Sequence, residues 1–210
     1  MSHPEGQRVK NKYNGMASSY DAVIERLIPN RWRREAVSLA SENVLEVGIG
    51  TGLNLPYYTD KCLNLHGIDV SRGMLDRAKE KAALCKVPVK LEEMDIQNTS
   101  LKSCSFDCVL SSFVFCTVHD PVRGLLECHR VLKPGGRLIL LEHMSSRKPL
   151  LKHLMKCFEP LTVMLIGDHI SRNTDVMVTE TGFRINKEIN LLSDVVRIIV
   201  AEKLQVQERR

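Results

Sequence analysis

Three glycines at alternating positions, Gly48, Gly50 and Gly52, follow the apolar run Val44-Leu45-Glu46-Val47. Glycine has no Cβ, so the chain can turn sharply and let a ligand touch its backbone. At the carboxyl end of a parallel strand, that geometry makes a nucleotide-type pocket. The spacing narrows the ligand. A dinucleotide-binding loop reads G-x-G-x-x-G, with its third glycine packing a helix against the strand and a pyrophosphate on the helix N-terminus. Here Leu53 stands where that third glycine belongs. Glu46, two residues before the first glycine, would repel a pyrophosphate and suits a cationic ligand carrying an amino group.

Asp69 ends the next apolar run, His66-Gly67-Ile68-Asp69, 17 positions after Gly52. An acid there can accept two hydrogen bonds from a ribose diol. Its competing role is to cap the following helix, which Ser71 can already do. His143 closes a later apolar run and, with an ordinary pKa of about 6.5, suits a general base; a hydrogen-bonded structural histidine is the alternative. Tyr13 and Tyr20 are seven apart and share a helical face. They can close over a bound cation as a lid with their π-faces, or simply pack.

These residues need a scaffold, and apolar runs alternate with helical patterns from residue 43 onward, as in a parallel sheet covered on both faces. The predicted strands are 43–47, 63–68, 87–93, 106–113 and 136–142. Ser71 caps a helix to about Leu84, with Met74, Leu75 and Ala78 on one face. Asp120-Pro121 starts another, which runs to about Leu132 and stops at Lys133-Pro134-Gly135-Gly136. Residues 149–181 hold two more helices, one through about Ile166 and one from near Ser171. Strands at 183–190 and 194–202 form a closing antiparallel pair. The predicted domains are an N-terminal helical lid over 1–42, one catalytic domain over 43–204 and a polar tail over 205–210.

The 210 residues suffice for one α/β domain with a full core. A net charge of +5, with Lys and Arg dispersed and only 5% aromatics, falls short of a nucleic-acid footprint. The seven cysteines form no C-x-x-C pair and no zinc-type spacing, so they read as buried thiols in a reducing cytosol, with no metal. The N-terminus lacks a signal-peptide core, and no stretch reaches the about 18 uncharged residues of a membrane span. The expected location is cytoplasmic, at most peripheral to a membrane. The run Leu150-Leu151-Lys152-His153-Leu154-Met155-Lys156-Cys157-Phe158 is amphipathic. It can rest on an anionic membrane, wall an apolar acceptor pocket, or cover the core.

The run from Glu46 to Gly52 resembles the E/D-x-G-x-G-x-G motif of class I S-adenosyl-L-methionine (SAM)-dependent methyltransferases. Ser105-Phe106-Asp107-Cys108-Val109 is similar to that family's F-D-x-V segment, and Arg130-Val131-Leu132-Lys133-Pro134-Gly135-Gly136-Arg137-Leu138 to its R-x-L-K-P-G-G-x-L turn. The resemblance implies a Rossmann-like seven-stranded, mostly parallel sheet with helices on both faces and an antiparallel C-terminal strand. It implies SAM as cofactor, with Asp95 receiving the adenine amino group, the Ile96 backbone meeting the ring, the stretch Ser111 to Phe115 beside the methyl donor with Phe113 and Phe115 more readily core, and Met74 among the cofactor contacts. Tyr13 to Asp21 is similar to the Y-x-x-x-A-x-x-Y-D segment of the ubiquinone/menaquinone and bacterial phosphatidylethanolamine methyltransferases. Leu141-Glu142-His143, Phe158-Glu159-Pro160 and Ile166-Gly167-Asp168-His169 with Arg172 look like the animal thiol methyltransferases. Asp168, His169 and Arg172 then either line the acceptor side or form an ion pair and a helix start. A thiol, a phospholipid amine and a quinone-like ring are the implied acceptors. An NAD-dependent oxidoreductase and a non-catalytic SAM-fold binding module are the competing readings, and the alternating glycines disfavour the first.

Overall fold

The computed structural model describes residues 10–15, 20–166 and 169–204. The expected polar tail at 205–210 lies outside the described residues. Seven strands, β1 (Glu42–Val47), β2 (Cys62–Asp69), β3 (Val89–Glu93), β4 (Phe106–Ser112), β5 (Leu132–His143), β6 (Phe183–Leu192) and β7 (Val196–Lys203), form one sheet in the order β3-β2-β1-β4-β5-β7-β6. Pairings from β3 through to β5 are parallel, whereas β7 runs antiparallel to both neighbours. The strand order reverses between β1 and β4. Crevices outside the carboxyl ends of strands at such a reversal are where open α/β sheets bind ligands. The glycine run leaves β1 at this point.

The central strands are apolar on both faces because both faces are covered. Val44, Leu110, Ile139, Leu141 and Ile198 share one core with Trp32, Ala36 and Val37 of α2 (Asn30–Ser38). Leu45, Val109, Leu138, Leu140 and Ile199 point the other way, into a second core with Leu125, Cys128 and Val131 of α4 (Pro121–Val131). Further helices are α1 (Tyr20–Leu27), α3 (Arg72–Ala82), α5 (Pro149–Ile166) and α6 (Thr174–Glu180). Ser71 Oγ accepts from Met74 N–H, and the Asp120 carboxylate accepts from Arg123 N–H with Pro121 in the first turn. Both caps follow the expectation. No helix among the described residues is long and apolar enough to cross a membrane.

Three boundaries differ for local reasons. Strand β5 starts at Leu132, which pairs with Phe106, and Arg137 then pairs with Cys108. The Lys-Pro-Gly-Gly turn is therefore a bulge inside the ladder, with Gly135 at φ 76°. Helix α6 starts at Thr174 rather than near Ser171, because the Arg172 carbonyl accepts from Ser145 N–H and is not available to a helix. The closing strands are shifted by one or two residues around a turn in which Val195 N–H donates to the Leu192 carbonyl. Cys62, Cys108, Cys116 and Cys128 are buried as expected, but Cys104 and Cys157 are exposed.

Candidate active site

The first element of the site is the turn after β1. Gly48 and Gly50 sit at φ 62° and 57°, a left-handed region that side chains rarely adopt. A Cβ on Gly48 would come within 2.4 Å of the Val114 side chain. On Gly50 it would meet nothing nearer than the Gly48 carbonyl at 4.0 Å. The turn thus packs against the β4 loop on one side and presents bare backbone to open space on the other. That space is a cavity of about 830 Å³, part of it open to solvent. It is lined by Tyr13, Tyr20, Gly48, Gly50, Asp69, Met74, Asp95 and Ile96 among others. Eight of the residues singled out from the sequence are therefore brought together.

Asp69 stands at the end of β2, with its two carboxylate oxygens accepting from Ser71 N–H at 2.8 Å and Gly50 N–H at 2.9 Å. Burial pushes its carboxyl up to about 6, against those two hydrogen bonds. One acid thus ties the glycine turn to the start of α3 and still faces the cavity. Asp95 closes its own turn by accepting from Gln97 N–H at 2.9 Å. The Gln97 side chain donates to Asp95 and accepts from Asp120 N–H at 2.9 Å, which joins the loops after β3 and β4.

Phe113 follows β4 at φ 58° and lines the cavity. Glu142, fully buried on β5, accepts from Val114 N–H at 2.8 Å and Phe115 N–H at 3.0 Å. Arg172 donates to the Phe115 and Val118 carbonyls, the latter at 2.7 Å. The loop that forms the cavity wall at Val114, Thr117 and Val118 is thereby held from two sides.

The N-terminal segment closes over the opposite side. Tyr13 and Tyr20 meet edge to face at 6.1 Å between centroids. The Asn14 side chain accepts from Ser71 Oγ at 2.7 Å and Gly73 N–H at 2.9 Å. Asp21 accepts from Thr51 Oγ1 and from Lys81 Nζ, the latter at 2.6 Å. Burial pushes the Tyr20 hydroxyl up to about 12, so it stays protonated.

Four expected site residues do not line the cavity. Glu46 is 2% exposed and turns into the core beneath the glycine turn, where it accepts from Asn54 Nδ2 and Tyr58 OH, each at 2.8 Å. Burial lifts its carboxyl to about 7, against those hydrogen bonds and the Arg33 charge. It braces the turn from behind and does not line the cavity. Gly52 packs against Leu55. Ser111 is fully buried within β4, and its hydroxyl has no hydrogen-bond partner among the described residues. His143 lies behind Phe113, with ring centroids 4.8 Å apart, and Arg33 stands 5.8 Å from the centre of the same Phe113 ring. His169 lies 3.4 Å from Glu159 and Arg172 donates to loop carbonyls, and neither lines the cavity. Asp168 lies outside the described residues.

Sequence reasoning did not single out Gln97, Thr117, Val118 and His119 as cavity residues. The signal for His119 was its place just before the Asp120-Pro121 helix start, in a loop leaving a central strand. Asn14 and Asp21 adjoin the two tyrosines, but nothing in their spacing reveals what they bind.

Comparison with known proteins bears on this geometry. Residues 45–140 match the family model described as a methyltransferase domain. The demethylmenaquinone methyltransferase of Deinococcus radiodurans is 31% identical over 178 residues, covering 80% of this chain and 74% of that protein. The chain belongs to the class I SAM-dependent methyltransferases. The phosphatidylethanolamine N-methyltransferase of Cereibacter sphaeroides is 37% identical over 133 residues, covering 61% of this chain and 65% of that one. A SAM-dependent methyltransferase structure from Thermotoga maritima shares the fold, with a TM-score of 0.67 at 20% identity over 91% of this chain and 98% of that chain. The protein is thus a methyltransferase enzyme whose cofactor is SAM. The residues fit that group: bare glycine backbone faces the cavity, a carboxylate stands at its edge, and aromatic rings flank it.

Proposed function

We propose that the enzyme methylates a small or lipid-like acceptor, a quinone-like ring or a phospholipid amine ahead of a thiol, at the carboxyl edge of β1 and β4. The reading places it in the cytoplasm with weak peripheral membrane contact. The observation that carries it is the cavity where Gly50 backbone, the Asp69 carboxylate and three aromatic rings converge. Relatives named for demethylmenaquinone and phosphatidylethanolamine support the acceptor class. The largely apolar lining, with Val47, Ile68, Met94, Phe113 and Val118, agrees with it.

When bound, SAM supplies an electrophilic methyl group on a cationic sulfonium. The glycine turn would let that cofactor lie against backbone, with Asp69 to accept from its ribose hydroxyls. Asp95, Ile96 and Met74, which line the same cavity, would hold its adenine end. Tyr13, Tyr20 and Phe113 offer π-faces to a cation and exclude water. Of the expected lid over 1–42, Tyr13 and Tyr20 would cover the cofactor, whereas Trp32, Ala36 and Val37 belong to the core. His143 packs against Phe113 and does not line the cavity, so no proton-accepting role is assigned to it in this reading. The protein's contribution to rate is alignment: holding acceptor and methyl about 3 Å apart and in line supplies much of the acceleration.

Methyl release from radiolabelled SAM, run against quinols, phosphatidylethanolamine and aliphatic thiols, tests the proposal. Transfer to a quinol or to phosphatidylethanolamine is expected. Transfer confined to thiols would reverse the ranking, and transfer confined to a water-soluble polar acceptor would contradict the lipid-like reading.

A further inference from the structure

Helix α3 carries a fastening for each of the two tyrosines that line the cavity. In its last turn, Lys81 Nζ donates to Asp21, next to Tyr20, at 2.6 Å and to the Thr51 carbonyl at 2.7 Å. At its start, Asn14 docks next to Tyr13. The Asn14 side-chain oxygen accepts from Ser71 Oγ at 2.7 Å and from Gly73 N–H at 2.9 Å. Residues 10–15 are helical, so sequence neighbours stand about 100° apart around the axis. Tyr13 can therefore line the cavity while Asn14 meets α3.

The approach of Asn14 to α3 is close. A Cβ on Gly73 would stand 3.3 Å from the Asn14 carbonyl oxygen and 3.3 Å from its side-chain oxygen. Gly73 is not among the glycines at positive φ, so what it supplies is room for Asn14. Ser71, fully buried, is shared between this contact and the cavity. Its N–H donates to Asp69 at 2.8 Å, its Oγ accepts from Met74 N–H at 3.2 Å, and its hydroxyl proton goes to Asn14. Asp69 and Met74 both line the cavity. The residue that steadies the acid at the cavity edge thus also holds the stretch that carries Tyr13.

We infer that Asn14 is a positioning residue for the cofactor: docked on Ser71 and Gly73, it keeps Tyr13 over the cavity and slows cofactor release. This rests on the proposed cofactor site, and release is measured apart from methyl transfer. A ligand that leaves only when Tyr13 moves aside leaves faster in proportion to the time the Asn14 contact is open.

Surface plasmon resonance on the immobilised full chain reads the dissociation of S-adenosylhomocysteine. Asn14→Leu removes two neutral hydrogen bonds and should speed release about tenfold. Asn14→Asp keeps an oxygen for both donors and should stay within about twofold of the wild type. Gly73→Val keeps Asn14 but sets a branched carbon against it, and valine is no poorer than glycine in a helix. That variant should release the ligand as fast as Asn14→Leu while α3 stays intact. Neither core cluster includes a residue of 10–15, so all three variants should keep the wild-type melting temperature. Wild-type release rates in Asn14→Leu or Gly73→Val would overturn the inference and leave the cofactor site standing. Asn14→Asp as fast as Asn14→Leu, or faster release matched by a lower melting temperature, would also overturn it. A wild-type chain that binds no S-adenosylhomocysteine would remove the site and the inference together.

Discussion

Glu46 carries a carboxylate into the core directly under the glycine turn, with Tyr58 and Asn54 donating to it and Arg33 nearby. Burial outweighs those partners and lifts the carboxyl from an ordinary 4.5 to about 7. A carboxyl whose folded value lies above its unfolded value binds more protons folded than unfolded. Its contribution to stability is fullest below the unfolded value and is lost as pH rises through the folded one. Glu46→Gln removes that titration and keeps an amide able to hydrogen-bond Tyr58. Relative to the variant, the wild type should lose roughly 3 kcal/mol between about pH 4 and about pH 8. Urea unfolding of both proteins at the two pH values measures it; parallel losses would contradict the assignment. The type and place of Glu46 were legible in the sequence, but its direction was not. Asn54, Tyr58 and Arg33 come from separate segments, and only their convergence turns the carboxylate away from the cavity. Asp69 and Gly50 were legible because a turn with positive φ and a strand-end acid leave few residue types that work.

At the scale of elements, the loop after β4 is the part of the site that depends most on distant chain. Glu142 on β5 binds its amides, and Arg172, from the segment before α6, binds its carbonyls. Arg172→Ala strips the Phe115 and Val118 carbonyls of a charged donor and should cost about 1 to 3 kcal/mol of stability. It should also weaken cofactor binding, because Val114, Thr117 and Val118 lose their fixed position. Urea unfolding and a SAM titration of the variant check this, and a variant unchanged in both would show that the loop holds without Arg172. The strands themselves were legible to within a few residues from apolar runs and turn residues. The start of α6 was not, because the Arg172 carbonyl is taken by Ser145, a tertiary contact that no local pattern encodes.

The whole molecule is organised around one reversal of strand order. Alternating strands and helices imply parallel pairing with right-handed crossovers, so the sheet class could be read from the chain. The division of labour in the N-terminal segment could not. Tyr13 and Tyr20 line the cavity, and Asn14 and Asp21 fasten their segments to α3 and the glycine turn, whereas α2 fills the core with Trp32, Ala36 and Val37. Both portions are polar and helical in pattern, and only packing separates lid from foundation. In the proposed reading, cofactor recognition rests on the junction of three pieces: the turn after β1, the acid ending β2 and the segments that carry Tyr13 and Tyr20.

The most direct test is a calorimetric titration with S-adenosylhomocysteine across the range in which Asp69 ionises, near its value of about 6. In the proposed reading an ionised Asp69 would accept from the ribose hydroxyls, and a protonated one would accept less well. Binding in the micromolar range or tighter is expected, strengthening as pH rises through about 6 and levelling above it. Asp69→Asn should bind more weakly and lose that pH dependence while its circular dichroism stays unchanged. Absence of binding heat at every pH, or an Asp69→Asn variant that follows the wild-type curve, would contradict the account.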